Sequence, residues 1–454
     1  MSQTSTLSER EQQLIYSRAF EATLWASPVL ATYCQAEAGT RDLGAGHLDI
    51  VYTGKKPDYQ WGALTVNNNS PYFMNFFSLK DGPVVVEIPA AIPEARVFGS
   101  IHDAWQIPLE DFGPAGADEG KGGKYLVLPP GYDGEIPDGY IVLRSNSYVH
   151  LIPGRTIPTD KGQQGWDAAV AYLKTIKIYP LANPERPTRF IQGAQKTYDA
   201  QPQFDLSDFR LLHRIVQDEP VREHDKVMYG VLATIGIERG KEFEPSAEVA
   251  AILEEAAKDA QAFAIQAIQS GEAFNTFWEG GAWGAFKLSP EYIETLGSAN
   301  YDRGLFYQDR YLYHFYLAGG IYRRFDPSKP ASTAYVMTAS DGDGTGLDAS
   351  KTYKIRIPAN PPIRDFWSII AYGNKSRTFI DSPKLTVSSN DEGLNVNADG
   401  SIDLYLSPKP VKGYEANTVI TNPKEDAFLM FRFYGAKPEL WEKKWILGDP
   451  ELVK

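Results

Sequence analysis

At 454 residues, with 43% hydrophobic and 23% charged side chains, the chain is long enough for two or three domains around a large core and has the balance of a soluble globular protein. A formal net charge of −13 excludes the clustered Lys and Arg that nucleic acid or an anionic membrane demands, so neither is an expected partner. The single cysteine, Cys34, excludes an intramolecular disulfide and every multi-cysteine metal or iron–sulfur site.

From Leu7 to Ala38 the apolar spacing predicts a helix, with Leu14, Ala22, Trp25, Val29 and Tyr33 on one face and Pro28 kinking or dividing it. Cys34 falls in this segment and reads as a small buried hydrophobe. The first ten residues are polar, with no basic stretch leading into an apolar one, and no apolar run reaches the roughly 18 residues of a membrane span. A cytoplasmic protein is therefore expected. Strands follow at His47–Tyr52, Phe73–Leu79 and Pro83–Pro89, the last two predicted as a hairpin through Lys80-Asp81-Gly82. Further strands are expected at Ala95–Trp105, Lys124–Leu128, Tyr140–Arg144 and Ser147–Ile152, a spacing that suits a sandwich or jelly roll.

After Thr159 the pattern turns helical: Trp166–Ile178, Leu206–Val216, Val221–Ile235 and, with the clearest 3.6-residue stripe, Ser246–Gln269. Gln195–Phe204, polar and interrupted by Pro202, reads as an exposed connector. Strands return between Ser332 and Tyr434, clearest at Tyr353–Ile357, Phe366–Tyr372, Ser401–Leu406 and Ala427–Tyr434. Six Asp-Gly dipeptides punctuate the two β regions, at Asp81, Asp133 and Asp138 and then at Asp341, Asp343 and Asp399. Asp and Gly both tolerate tight left-handed turns, so these dipeptides read as hairpin turns. The expected fold is mixed and mainly β: an N-terminal helical segment (1–40), a first β-sandwich-like domain (41–160), a helical linking region (161–300) and a second β-sandwich or jelly-roll-like domain (301–454). No repeat shows at the level of residues; duplication is visible only in the turn pattern.

Motifs with established chemistry are mostly absent. Ala115–Lys121 ends like a phosphate-binding loop but has Ala115 and Gly122 where Gly and Ser or Thr are needed. Asp341–Asp348 alternates carboxylates, yet in a calcium-loop register the first and twelfth positions are Ala339 and Ser350. No two of the six histidines have zinc-ligand spacing, and there is no Gly-x-Ser-x-Gly elbow, so no metal or organic cofactor is expected.

The densest polar cluster is Ser100–Trp105. His102 and Asp103 are candidates for general acid or base, although adjacent strand residues face opposite ways unless a bulge intervenes; either serves equally as a buried polar residue closing the strand. Asn67–Asn69 can bind a polar ligand or form the turn before Tyr72. Arg303, in Tyr301-Asp302-Arg303, can hold a substrate carboxylate or an interdomain ion pair. Aromatic residues, 13% of the chain, suit pocket walls and subunit contacts as well as cores, which leaves a homo-oligomer open.

Several segments together resemble the bacterial and fungal family that pairs domain of unknown function 1254 with domain of unknown function 1214. In the front half these are Tyr72, Gly82–Pro89, Asp103–Trp105, Pro130–Gly139 and Val149–Thr156; Ile235–Phe243 follows; in the back half they are Tyr353, Asp365–Ser368, Asn397–Ser401 and Arg432–Tyr434. The resemblance implies two β-sandwich or jelly-roll-like domains with helices between them, and no settled reaction. The family has an Asn-x-Asp-Thr-like segment before the Tyr where this chain has Asn67–Ser70, so a carboxylate is lost, and a member that relied on it would be altered or inactive. Many relatives carry secretion signals; none is expected here.

The expected function is a cofactor-independent enzyme acting on a small, partly apolar organic molecule by acid–base hydrolysis or elimination. The site is expected between the two β bodies. His102, Asp103 and Tyr72 would be catalytic, and Asn67, Trp105, Arg303, Trp367 and Tyr372 would bind substrate. The alternative is a non-enzymatic ligand-binding or assembly protein.

Overall fold

A computed structural model describes residues 7–270, 274–286, 305–317, 319, 323 and 331–454. The chain opens with a 35-residue helix, α1 (Glu9–Leu43), started by a capping box in which the Ser8 hydroxyl accepts the Glu11 N–H while Glu11 accepts the Ser8 N–H. Pro28 does not divide it. The helix is also held at this turn from its sides: the Pro28 carbonyl accepts from Thr32 Oγ1 at 3.2 Å and from Gln106 Nε2 at 2.8 Å.

The first β body holds β1 (Ile50–Tyr52), β2 (Trp61–Gly62), β3 (Tyr72–Ser78), β4 (Val84–Ile88), β5 (Ala95–Asp103), β6 (Pro108–Phe112), β7 (Gly123–Leu128), β8 (Ile141–Arg144) and β9 (Val149–Pro158), then α2 (Gly162–Leu173), β10 (Lys177–Pro180), β11 (Phe190–Gln192) and β12 (Tyr198–Asp199). A six-stranded sheet runs β11-β1-β3-β9-β5-β6 and a four-stranded sheet β10-β4-β7-β8. Alternate residues of the two sheets, among them Phe73, Val86, Tyr125 and Ile152, meet in one core.

A helical layer follows: α3 (Leu206–Asp218), α4 (Lys226–Ala233) and α5 (Ala247–Gln269), the last one residue shorter than expected because Ser246 is its N-cap. Small residues of α1 and α5, such as Ala19, Ala26, Ala256 and Ala260, are fully buried and let the two helices approach closely. The second β body comprises β13 (Phe274–Thr276), β14 (Gly284–Phe286), then α6 (Tyr307–Tyr316), β15 (Ala331–Thr338), β16 (Tyr353–Ile357), β17 (Ile363–Gly373), β18 (Thr386–Ser388), β19 (Ile402–Ser407), β20 (Thr418–Ile420), β21 (Ala427–Ala436) and β22 (Glu451–Leu452). Its sheets run β13-β14-β15-β21-β17-β18 and β20-β19-β16-β22.

The two bodies share one plan. Strands β3 to β10 take, in chain order, the places that β15 to β22 take in the second body, with the same pairing directions throughout, including the parallel pairs β7/β8 and β19/β20. The duplication is thus one of architecture.

Several expectations change. β3 and β4 lie in different sheets, so Lys80-Asp81-Gly82 is no hairpin turn. The other Asp-Gly turns likewise join strands that belong to different sheets or, at Asp133 and Asp138, a parallel pair. Those at Asp81, Asp341, Asp343 and Asp399 carry the chain from one sheet to the other, where a sharp turn is needed just as it is in a hairpin. Trp166–Ile178 is helical only to Leu173 and then enters β10. Gln195–Phe204 is not an exposed connector: Tyr198 is buried, stacked on Trp61 at 4.5 Å, because β12 pairs with β2. A bulge does intervene at Ile101/His102.

Candidate functional site

The outer face of the first six-stranded sheet meets the second body, and the contact is closed by the Phe98, Ile157, Phe366 and Tyr434 cluster and by the Arg96–Asp365 ion pair. Between the bodies lies a cavity of about 80 Å³. By the same measure a water needs about 10–15 Å³, so the space suits a molecule of several heavy atoms. The wall is largely apolar, with Met74, Phe98, Leu151, Pro153 and Leu317, and its polar groups are concentrated in two tyrosine–arginine pairs.

Each pair belongs to the centre of one sheet. In the first body Tyr72 of β3 lies directly across from Arg155 of β9; in the second, Tyr335 of β15 lies directly across from Arg432 of β21. Strand alternation sends all four side chains to the cavity face. Both arginines are buried, Arg155 to 5% exposure and Arg432 to 1%. Arg155 Nη2 donates to Tyr335 Oη at 3.2 Å, and its guanidinium lies 5.6 Å from the Tyr72 ring. Arg432 Nη2 donates to the Thr65 carbonyl and its guanidinium stands 5.5 Å from the Tyr335 ring and 5.4 Å from that of Tyr372. Among the described residues Arg432 Nε and Nη1 have no acceptor. Among the described residues lining the cavity none is Asp or Glu.

The charges act on the phenol between them. Burial alone would push Tyr335 up, but the Arg155 and Arg432 guanidiniums and the hydrogen bond from Arg155 outweigh it and hold the phenol below its usual value. Tyr372 and Tyr434 are pushed up, burial prevailing over the pull of Arg432. Thr65 supports the wall: a β-branched residue at φ 37, it is held by Tyr316 O accepting its hydroxyl at 2.7 Å and by its N–H donating to Arg377 O at 2.9 Å.

Of the residues the sequence nominates, Tyr72 lines this cavity. Tyr372 stands behind it, donating to the Val66 carbonyl at 2.6 Å, and so positions the Thr65–Val66 wall. Asn67 is buried and its Oδ1 accepts the Asn69 and Ser70 N–H groups, forming the turn before Tyr72. Trp367 stacks on Phe431 inside the second body. His102 is fully buried on β5, across from Leu151. Asp103 Oδ1 accepts the Trp105 and Ile107 N–H groups, each at 2.9 Å, and burial pushes its carboxyl up against the pull of Arg222. Trp105 is packed between Trp25 and the Arg222 guanidinium, 4.5 and 4.1 Å away. Arg303 lies outside the described residues. Asp341 spends its carboxylate on the Asp343 and Thr345 N–H groups, and among the described residues no His, Cys, Asp and Glu side chains gather as a metal site.

Arg155 and Arg432 fall in segments that carry the family resemblance but are not nominated as site residues, and Tyr335 falls in none. A signal for two of them exists: each arginine is the lone basic residue, apart from His150, in a ten-residue apolar strand. A charge in such a place is buried for a reason that packing does not supply.

Two family models match the chain, DUF1254 over residues 50–180 and DUF1214 over 332–438, each described as a protein of unknown function. The first match spans β1 to β10 and so takes in one whole copy of the shared strand plan; the second spans β15 to β21, the other copy without β22. No curated protein matches. Among solved structures, the crystal structure of the VPA0106 protein from Vibrio parahaemolyticus is similar at 18% identity with a TM-score of 0.60, covering 97% of this chain and 100% of that one. An uncharacterised protein from Burkholderia cenocepacia matches at 12% identity with a TM-score of 0.44, covering 98% and 96%. The Vibrio likeness is one of fold.

Proposed function

The chain belongs to the family that joins a DUF1254 region to a DUF1214 region, and from the cavity between its two bodies we propose a cofactor-independent enzyme that acts on a small, partly apolar organic molecule by acid–base hydrolysis or elimination. The observation that carries this reading is the Tyr335 phenol, held low between two buried guanidiniums at the wall of an apolar cavity. A phenol in that state can lose its proton, accept one from a substrate carbon or from water, and return it to the leaving group. Arg155 stabilises the charged form through its 3.2 Å hydrogen bond, and Tyr72, on the opposite sheet, orients the substrate. The apolar walls keep bulk water away from the transfer. In this reading the proton moves at Tyr335, while His102 and Asp103 serve the fold around it. A cytoplasmic location belongs to the same proposal, supported by the unpaired Cys34, whose thiol burial pushes up out of the reactive range.

The test is a substrate screen with Tyr335→Phe. Removing a proton-transfer group is expected to lower turnover by roughly 10²–10⁴-fold with the fold retained, and an ultraviolet pH titration of the wild type should show a phenolate that the variant lacks. Full turnover in Tyr335→Phe would sink the proposal.

A further inference from the structure

Arg432 presents a charge problem that the proposed chemistry leaves unsolved. It is 1% exposed and central in its sheet, and among the described residues it makes no ion pair; one carbonyl, that of Thr65, accepts from it, and its Nε and Nη1 find no acceptor there. The residues that surround it are phenols and aromatic rings, and none of the described residues lining the cavity is acidic. A guanidinium left this way costs free energy unless something in the cavity compensates it. Tyr335, when ionised, offsets one positive charge, and it already accepts from Arg155. Arg432 is left with the partial charges of the surrounding phenols, and no described carboxylate lines the cavity to meet it.

Resting on the proposed small-molecule site, we infer that its substrate is a small carboxylate, with Arg432 the residue that recognises the charged group and Met74, Phe98, Leu151 and Leu317 receiving the apolar part. One negative charge answers the Arg432 guanidinium. The apolar wall favours a carboxylic acid with a hydrocarbon body over inorganic phosphate. Thr65 and Tyr372 act as positioning residues: the first fixes Arg432 through its carbonyl, the second holds that same segment of chain.

The test measures calorimetric binding of straight-chain carboxylates from acetate to hexanoate, each against its primary amide, with inorganic phosphate as a further probe. A charge-assisted contact to a buried arginine predicts that each carboxylate that fits binds roughly ten- to a hundredfold more tightly than its amide. Arg432→Lys, which keeps the charge, and Arg432→Gln, which removes it, should reduce that ratio in that order and leave amide binding within about twofold. The wild-type ratio decides the matter even if a variant fails to fold. Amides binding as well as carboxylates, phosphate binding alone, or no member binding would overturn the inference. Failure here is separable from failure of the enzyme reading: carboxylates that bind without Tyr335-dependent turnover leave the binding assignment standing, and turnover of neutral molecules that needs Tyr335 leaves only the enzyme reading.

Discussion

The two β bodies carry the same strand plan and fill it differently. Aligned on their central arginines, Gly154 of the first body corresponds to Phe431 of the second and His150 to Ala427. In the first body, Phe73 reaches across β9 into the space above Gly154, where an added Cβ would lie 2.2 Å from its ring; in the second, Phe431 fills the equivalent space itself, stacked on Trp367 at 5.5 Å. The first body keeps its own core, whereas that of the second merges with the helical layer. What survives these differences is the tyrosine facing an arginine across the central strand pair. Sheet topology is satisfied by many fillings, but a buried charge is not a filling, and its presence in both copies points to the shared cavity.

The comparison can be broken first with acid. His150 is fully buried, its Nε2 2.8 Å from Ser145 Oγ, and burial pulls it down to about 3 from an ordinary 6.5. Its folded value lies below the unfolded one, so the stability it contributes is present above about 6.5 and lost as pH falls toward 3, on the order of 5 kcal/mol in all. Because Ala427 stands in its place in the second body, hydrogen exchange between those pH values should show β3 and β9 losing protection before β15 and β21. Simultaneous loss would mean that the bodies unfold as one unit. His150→Gln should flatten the acid limb.

Next come the core fillings. Phe431→Ala leaves a cavity and should cost about 3–5 kcal/mol by chemical denaturation. Gly154→Ala overpacks against Phe73 and should cost about 1–3 kcal/mol. The reverse order would mean that the alignment of the two strands is wrong. The smallest effect belongs to the turns that lead from β3 to β4 and from β15 to β16. Gly82 and Gly344 adopt φ of 118 and 79 with nothing within 4 Å of an added Cβ, so alanine at either is penalised by backbone strain alone, about 1–2 kcal/mol. Equal shifts in thermal midpoint would show that the turns are as alike as the strands they join.

Much of this molecule is legible in the sequence because it depends on local periodicity. Helix α5, the strands Tyr72–Ser78, Val84–Ile88 and Ala427–Ala436, and the division into two β regions all follow from apolar spacing and turn residues, whose physics acts over a few residues. The resemblance carried by Gly82–Pro89 and Arg432–Tyr434 agrees with the family matches. Strand partners were not legible. Asp-Gly requires a reversal but does not say whether the next strand joins the same sheet, and that choice rests on which apolar faces meet far along the chain. Of the candidate cavity, the sequence anticipates a place between the bodies and Tyr72 in its wall. His102 and Asp103 stand out as a polar pair in the chain, yet the fold buries both, Asp103 accepting two backbone N–H groups, while Arg155, Tyr335 and Arg432, up to 277 positions apart, become neighbours only when two sheets close on each other. Sequence alone determined the longer helices and the strongly apolar strands; the closing of the sheets decided which charges share a cavity, because electrostatic coupling depends on distance in space and not along the chain.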